Sequence, residues 1–457
     1  MWLAFGRMLM FNPVVVSIAL VYLIICVLRV NVVIALTAGA IVCGLVSGAS
    51  FESAVSNFSE GLGGGAKIAL SYAILGAFAS ALAHSGFSNF LMAKMIRLLN
   101  IDSSKGEKHV AGTENDRKSK FVIFFIIGTM AIACKNIIPV HIAFIPILIP
   151  PMIGVFNAMQ IDRRLIACII TFGVIVAYMI VPMGFGEIFL ENIMLYYLHA
   201  NGVDISVQGL IHALLYPALG MLMGILLASV RYGKPRCYKN ARVKTLEKET
   251  VFSRKDCIVS CLAIVAALVA QLLVKAIILS ALLGFFFLSL GGVIRKKDSD
   301  DVVTGGFKMM ALISFTMIAA AGFGYSLRIS GGIDEIVNWL SVHMLNSKIL
   351  ASFSMLFVGF LISVGIGSSF STVPIVATVY VPLGLKLGFS PAAIAIIVAV
   401  SGITGDAGSP ASDSTLGPTM GLNADGQHSL VRDTVIPTFL YLTIPTFLFG
   451  WIASVLL

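Results

Sequence analysis

From residue 209 to residue 230 the chain runs without one Asp, Glu, Lys or Arg, and similar stretches recur from end to end. About 20 apolar residues cross the roughly 30 Å of hydrocarbon in a bilayer. Backbone in hydrocarbon must satisfy its own polar groups, which a helix does within itself. Apolar segments fall near residues 11–28, 32–48, 68–84, 121–134, 137–156, 165–181, 187–199 and 209–230. They resume at 257–273, 276–294, 309–326, 349–366, 373–388, 391–404 and 433–457. Only 12% of the residues are charged, against about 25% in an average soluble domain. The fold class these features predict is an all-α polytopic membrane protein, multi-pass in the cell inner membrane, with the lipid bilayer as its solvent. Arg7 and the apolar run behind it lack a small-residue cleavage site and read as a retained first helix.

The net charge of +9 does not imply nucleic acid, because Lys and Arg of membrane proteins collect in cytoplasmic loops. The seven cysteines show no CxxC or metal-ligand spacing and read as small buried thiols, not as disulfides or zinc ligands. No cofactor is expected.

The two halves share an order of features. Gly64-Gly65-Ala66-Lys67 and Gly305-Gly306-Phe307-Lys308 each open a long apolar helix, and these helices end at Ser85-Gly86 and Ser330-Gly331. A short amphipathic segment follows each, Phe87–Leu99 and Ile333–Leu345. Next come two apolar stretches around a small or polar centre, Cys134-Lys135-Asn136 in one half and residues 365–372 in the other. Pro151 matches Pro382, and Pro182 matches Pro410 inside a broken stretch. If the central stretches are hairpins that enter and leave on one side, the basic segment 231–256 sets the cytoplasmic face. All Lys and Arg except Arg7, Lys67, Lys275, Arg328, Lys348, Lys386 and the tip residue Lys135 then fall inside. The expected architecture is two inverted repeats of five transmembrane helices, residues 1–230 and 257–457, joined by a basic cytoplasmic linker, 231–256, within reach of anionic lipid. Each repeat carries a re-entrant hairpin and a broken helix, and both termini lie outside. Hairpins and interrupted helices are how many secondary transporters hold a site near the midplane.

The run 391–404 spans only about 21 Å at 1.5 Å per residue, so the polar sequence after it begins within the membrane. There Gly405, Gly408 and Pro410 break the helix. Asp406 and Asp413, with Thr404, Ser409 and Ser412, offer the hard oxygens that suit Na+ or a proton. A solvated loop with Asp and Ser as helix caps is the competing reading. In the first half, Glu187 and Glu191 are four apart beyond Pro182-Met183-Gly184; an intramembrane carboxylate is costly and points to function, whereas beyond the helix end it is merely solvated. At the hairpin centres, Ser368, Ser369, Ser371 and Thr372 offer hydroxyls and a helix start suited to an anionic group, or serve as interhelical packing contacts. Lys135, Asn136 and His141 occupy the other tip, where Lys135 pairs with a substrate carboxylate or substitutes for a cation. His141 is a proton relay or a hydrogen-bonded core residue. His84, His199, His212, His343 and His428 sit near helix ends, where solvated positions suffice.

An intramembrane enzyme lacks support, since no H-E-x-x-H or G-x-S-x-G is present and the glycine run 61–65 lacks the G-K-[ST] ending of a P-loop. A channel is the other rival; saturable flux that needs an ion gradient separates it from a transporter.

The stretch from Gly405 to Thr419, continuing from Gly421 to His428, resembles the bacterial sodium–proton antiporter family, closest to a branch described as amino acid transporters. The resemblance implies an ion-coupled transporter with a scaffold, a mobile transport domain moving by an elevator-like mechanism, and a homodimer. It places the substrate or ion site at hairpin tips and broken helices, here Asn136, Ser369, Thr372, Glu187, Asp406 and Asp413. The Ser-Asn-Thr hairpin signature of relatives is replaced by Ser369-Phe370-Ser371-Thr372 and Cys134-Lys135-Asn136. Several acids beside few cations favour a zwitterionic or basic amino acid, such as histidine, exchanged with or carried alongside Na+ or H+.

Overall fold

A computed structural model of the chain describes residues 12–26, 28, 30–86, 114–136, 145–239, 254–274, 276–336 and 347–457, apart from a few helical side chains that include those of Lys135 and Asn136. Among the described residues every regular element is helical. The first half holds α1 (Pro13–Cys26), α2 (Val32–Val46), α3 (Phe51–His84), α4 (Glu114–Asn136), α5 (Ile145–Ala158), α6 (Arg163–Ile180), α7 (185–200, largely π-helical) and α8 (Val207–Tyr232). The second half holds α9 (Arg254–Val274), α10 (Ile277–Leu290), α11 (Ser299–Ile329), α12 (Lys348–Ile366), α13 (Ser369–Lys386), α14 (Pro391–Gly408), α15 (Asp413–Leu422) and α16 (Leu430–Leu456).

Eight helical runs among the described residues are long and apolar enough to cross a membrane: α3, α6, α8, α11, α12, α13, α14 with α15, and α16. Their starts follow from local chemistry. Ser50, Asp162, Ser206, Ser347, Ser390 and Ser412 each accept a hydrogen bond from a first-turn backbone N–H, satisfying donors the helix leaves open. Ser85 and Ser330 cap α3 and α11 as expected, and Gly86 and Gly331 follow with φ of 74° and 70°, where a side chain would be strained.

The glycines expected to open these two helices lie inside them. α3 begins at Phe51 and α11 at Ser299, so Gly64 and Gly305 are interior positions. The neighbouring glycines serve packing: a Cβ on Gly65 would stand 2.5 Å from the Met317 carbonyl oxygen, and one on Gly76 2.5 Å from that of Gly306. Backbones meet there, and van der Waals contact takes the place of a hydrophobic driving force that lipid cannot supply.

The innermost element is the α14–α15 run, whose membrane window is 94% buried, against 39% for α16. Around it α12, α13, α6, α8 and α16 form the main apolar cluster, while α3, α10 and α11 build a second and α4, α5 and α6 a third. Large apolar side chains on α8 and α9, such as Leu219, Leu226 and Leu262, stay exposed, as a protein solvated by hydrocarbon requires. Cys43 and Cys168 are buried as expected; Cys237 and Cys261 are exposed, the first beyond the end of α8 and the second on the outer face of α9.

A clasped carboxylate where a hairpin meets a broken helix

α12 and α13 form a hairpin. Gly367, at φ 72°, turns the chain in a left-handed conformation at the tip, and at the open end the Lys348 ammonium donates to the Gly388 carbonyl at 2.5 Å. Side chains as small as hydroxyls seat the first arm on α14. Ser363 Oγ bonds the Gly402 carbonyl and accepts from the Gly405 N–H at 2.9 Å, a fit that glycine at 405 permits.

α14 runs four residues beyond the apolar stretch 391–404. Thr404, Asp406 and Gly408 are therefore helical, and the break falls at Ser409-Pro410-Ala411-Ser412. The proline has no N–H to continue the ladder. Carbonyls freed by the break are taken up by Thr415 Oγ1, which donates to Ser409 O at 2.6 Å and Ser412 O at 3.0 Å. The expectation that the glycines unwind the helix at 405 fails because Ser363 braces them. α6 breaks in the same way, ending at Ile180 before Val181-Pro182-Met183-Gly184, where Gly184 has φ 58°.

The hairpin tip points its second helix start at Asp406. Ser369 N–H donates to Asp406 Oδ1 at 2.8 Å, Ser369 Oγ donates to Oδ2 at 2.8 Å, and the Tyr178 hydroxyl of α6 donates to Oδ2 at 2.5 Å. Asp406 is 3% exposed, and Ser369 and Tyr178 are fully buried. The helix start expected to receive a substrate anion is thus occupied by the protein's own carboxylate, in the geometry that favours anions at helix N-termini. Tyr178 is held by aromatic edges, 4.8 Å from Phe189 and 5.7 Å from Phe370 between centroids. Asp413, half-buried at the start of α15, accepts from the Tyr72 hydroxyl of α3 at 2.7 Å and from Ser414 Oγ at 3.2 Å.

The structure therefore brings Ser369 and Asp406 together and sets Asp413 one break away. Thr372 is buried with its hydroxyl on Ser368 O, and Thr404 donates to Val400 O; Ser409 and Ser412 accept from Ala411 N–H and Ser414 N–H. These four serve the backbone. Ser368 and Ser371 are half-buried at the tip, Glu187 is half-buried, and Glu191 is exposed on the π-helical stretch of α7. The side chains of Lys135 and Asn136, and His141 altogether, lie outside the described residues. Sequence reasoning missed Tyr72 and Tyr178; a hydroxyl inside an otherwise apolar run, Ala177-Tyr178-Met179, was the available signal.

It also missed a second polar cluster at the far end of α15. Arg163 is fully buried and forms two hydrogen bonds to Asp425, at 2.7 and 2.6 Å, with further bonds to Leu422 O and Asn157. Arg236 joins Asp433 at 3.1 Å and Asp162 at 3.4 Å. Lys239 and Gln427 exchange two backbone-to-amide bonds of 2.8 Å, and Tyr238 lies under the Arg163 guanidinium at 4.2 Å. The start of the segment expected to be a basic cytoplasmic linker is thus a strap bonded to residues of both halves. His428, expected at a solvated position, is 2% exposed and bonded to Thr434 Oγ1 at 2.8 Å, because the strap and the bend at 423–429 close over it. Burial pushes its imidazole down to about 4, against the pull of Asp433. Burial also opposes charge on Asp425, but the Arg163 pair outweighs it and holds that carboxyl below its usual range.

The broken helices and the hairpin carrying this geometry lie, but for the first residues of α6, in one segment, residues 169–451, that matches the sequence model of the Na+/H+ antiporter family; a second model, described as the Na+-H+ antiporter family, matches residues 12–99. The chain belongs to the Na+/H+ antiporter family. As a member of that family it is a secondary transporter, carried in the membrane by many helices and acting on a small molecule or an ion. An uncharacterized membrane protein of Vibrio parahaemolyticus, VP2115, is 49% identical over 98% of this chain and 100% of its own length. A Bacillus subtilis protein, YuiF, provisionally described as an amino acid transporter, is 41% identical over 88% of this chain and 90% of its own. Among solved structures, the Alcanivorax borkumensis YdaH transporter covers 87% of this chain and 86% of its own, at 15% identity and a TM-score of 0.48.

Proposed function

We propose that this transporter couples the movement of an amino acid to a Na+ or H+ carried at Asp406. The observation behind it is the buried Asp406 carboxylate, held by donors that can let go: two hydroxyls and one amide at the meeting of a hairpin tip and a broken helix. A proton replaces one of those hydrogen bonds directly. A sodium ion takes the carboxylate and the two hydroxyl oxygens as hard ligands, with further oxygens from the break. The amino acid assignment leans on the description of YuiF, and the acids at 187, 406 and 413 favour a zwitterionic or basic one. The chain then acts as a carrier and not as a channel or an intramembrane enzyme.

Movement in this reading is elevator-like and occurs in a homodimer. The hairpin α12–α13 and the broken helices travel with their cargo against the long α3–α11 pair, which meets them where Tyr72 of α3 donates to Asp413 of α15. The repeats 1–230 and 257–457 are inverted copies, consistent with helices α6 and α14 of 18 residues each that both stop at a proline-containing break.

Purified protein in liposomes tests this directly. Uptake of labelled histidine, lysine and neutral amino acids is measured under imposed Na+ or H+ gradients, in wild type and in Asp406→Asn. Saturable uptake driven by one gradient and abolished in the variant is expected. Flux indifferent to both gradients, or equal in the variant, would sink the reading, and turnover in detergent without a gradient would point to an enzyme.

A further inference from the structure

Near the end of α8, every arginine but one among the described residues has found an acid. Arg163 pairs with Asp425, Arg164 with Asp162, and Arg236 with Asp433 and Asp162. Arg231, in the last turn of α8, and Lys234, just beyond it, form no ion pair among the described residues, and both are exposed. They line a cavity of about 460 Å³ together with Leu227, Val230 and Tyr441.

The shape of this cavity comes from the packing of α8 on α16. At Gly224 a Cβ would overlap the Tyr441 carbonyl oxygen, so the helices touch there backbone to backbone. Beyond that contact the Tyr441 ring turns to meet Tyr232 at 5.4 Å, edge to face. α8 leads away from the cavity with an exposed apolar stripe, Leu215, Leu219, Leu222, Leu226 and Val230, at spacings of three and four residues that keep one helix face. Val230 is 79% exposed beside the two cations. A cavity with two unmatched positive charges at its mouth, opening onto an apolar stripe at the end of a membrane-crossing helix, fits a ligand with an anionic head and a hydrocarbon tail.

We propose that this cavity binds an anionic phospholipid, with Arg231 and Lys234 holding the phosphate and the acyl chain lying along the α8 stripe. The two charges set the preference, since a zwitterionic headgroup carries its own cation to compete for the phosphate. The site is independent of the identity of the transported solute.

Native mass spectrometry of the delipidated full chain tests it. The protein is titrated with phosphatidylglycerol or with phosphatidylcholine of the same acyl chains. About thirtyfold higher occupancy by phosphatidylglycerol is expected, on the order of what two basic residues supply at a membrane surface. The preference is lost in the double variant Arg231→Gln, Lys234→Gln. It is kept in Arg295→Gln, Lys297→Gln, which removes two exposed cations elsewhere. Inorganic phosphate in millimolar excess leaves the lipid bound, because the chain contacts add to those of the headgroup. Equal occupancy by the two lipids in wild type, an unchanged preference in the double variant, or displacement by inorganic phosphate alone would each overturn the assignment.

Discussion

Tyr178 on α6 donates its hydroxyl proton to Asp406 on α14, and this bond is one rung of a longer register. α6 lies antiparallel to the α14–α15 run, with Arg163 against Leu422, Thr171 against Ser414 and Tyr178 against Asp406. One element therefore reaches both the clasped carboxylate and the buried ion pair, and a shift of α6 is felt at both.

Removing the Tyr178 hydroxyl while keeping its ring isolates one donor of the clasp. In Tyr178→Phe the packing on Phe189 and Phe370 stays, and one hydrogen bond to a charged group is lost, worth ~1.5 kcal/mol. The apparent affinity for the coupling ion is expected to change about tenfold, read from initial uptake rates against ion concentration. An unaltered ion dependence would detach Tyr178 from ion binding.

Tyr72 and Asp413 form the polar contact between α3 and α15. Tyr72→Phe and Asp413→Asn are each expected to slow transport, and the double variant to be no slower than the worse single one, since contacting residues do not add. Strict additivity of the two effects would show that they act separately.

The Arg163–Asp425 pair is fully buried. Arg163→Ala leaves Asp425 without its countercharge and is expected to cost ~3–5 kcal/mol of stability, seen as a large drop in the thermal-unfolding midpoint in detergent. Arg163→Met combined with Asp425→Leu should recover much of that loss. A midpoint within a degree or two of wild type for the single variant would contradict the structure.

His428 makes acid stability a local question. Its ordinary pKa of 6.5 falls to about 4 in the fold, so between those values the unfolded chain takes up a proton that the folded chain refuses. Stability is complete above about 6.5, declines as pH falls, and has lost this contribution by about 4, in total ~3 kcal/mol. Beneath the larger effect of burial, the charges of Asp433 and Asp162 draw the imidazole pKa up and those of Arg163 and Arg236 push it down. The contrast with His428→Gln isolates the histidine: the variant should show a flatter dependence of unfolding midpoint on pH between 7 and 5.

The crossing helices were legible because hydrocarbon imposes one rule on every residue in it, and the Ser-Gly ends of α3 and α11 were legible because a left-handed turn admits few residues. Asp406 stood out because the apolar run before it is too short to cross, so its polar stretch must begin within the membrane. Two kinds of fact stayed hidden. Whether a glycine breaks a helix or lets another helix approach depends on a neighbour distant in sequence, which is why Gly64, Gly305 and Gly405 were misread; Gly405 stays helical only because Ser363 reaches it. The partners of a buried charge are likewise set by tertiary contact. Arg163 and His428 look like loop residues until the 233–239 strap is laid over them, and nothing in their local sequence announces it.

The near-complete enclosure of the α14–α15 run reaches back to how the chain is made. A helix released from the translocation machinery is met first by lipid, yet Asp406 and the serines around the break have no lipid-facing side in the finished molecule. α16, which follows them in the chain, supplies part of their cover: Thr443 reaches the Thr404 carbonyl at 3.2 Å. The polar heart of the transporter is therefore sealed only once α16 has been made and packed. A chain stopped before residue 430 would leave it open to the bilayer.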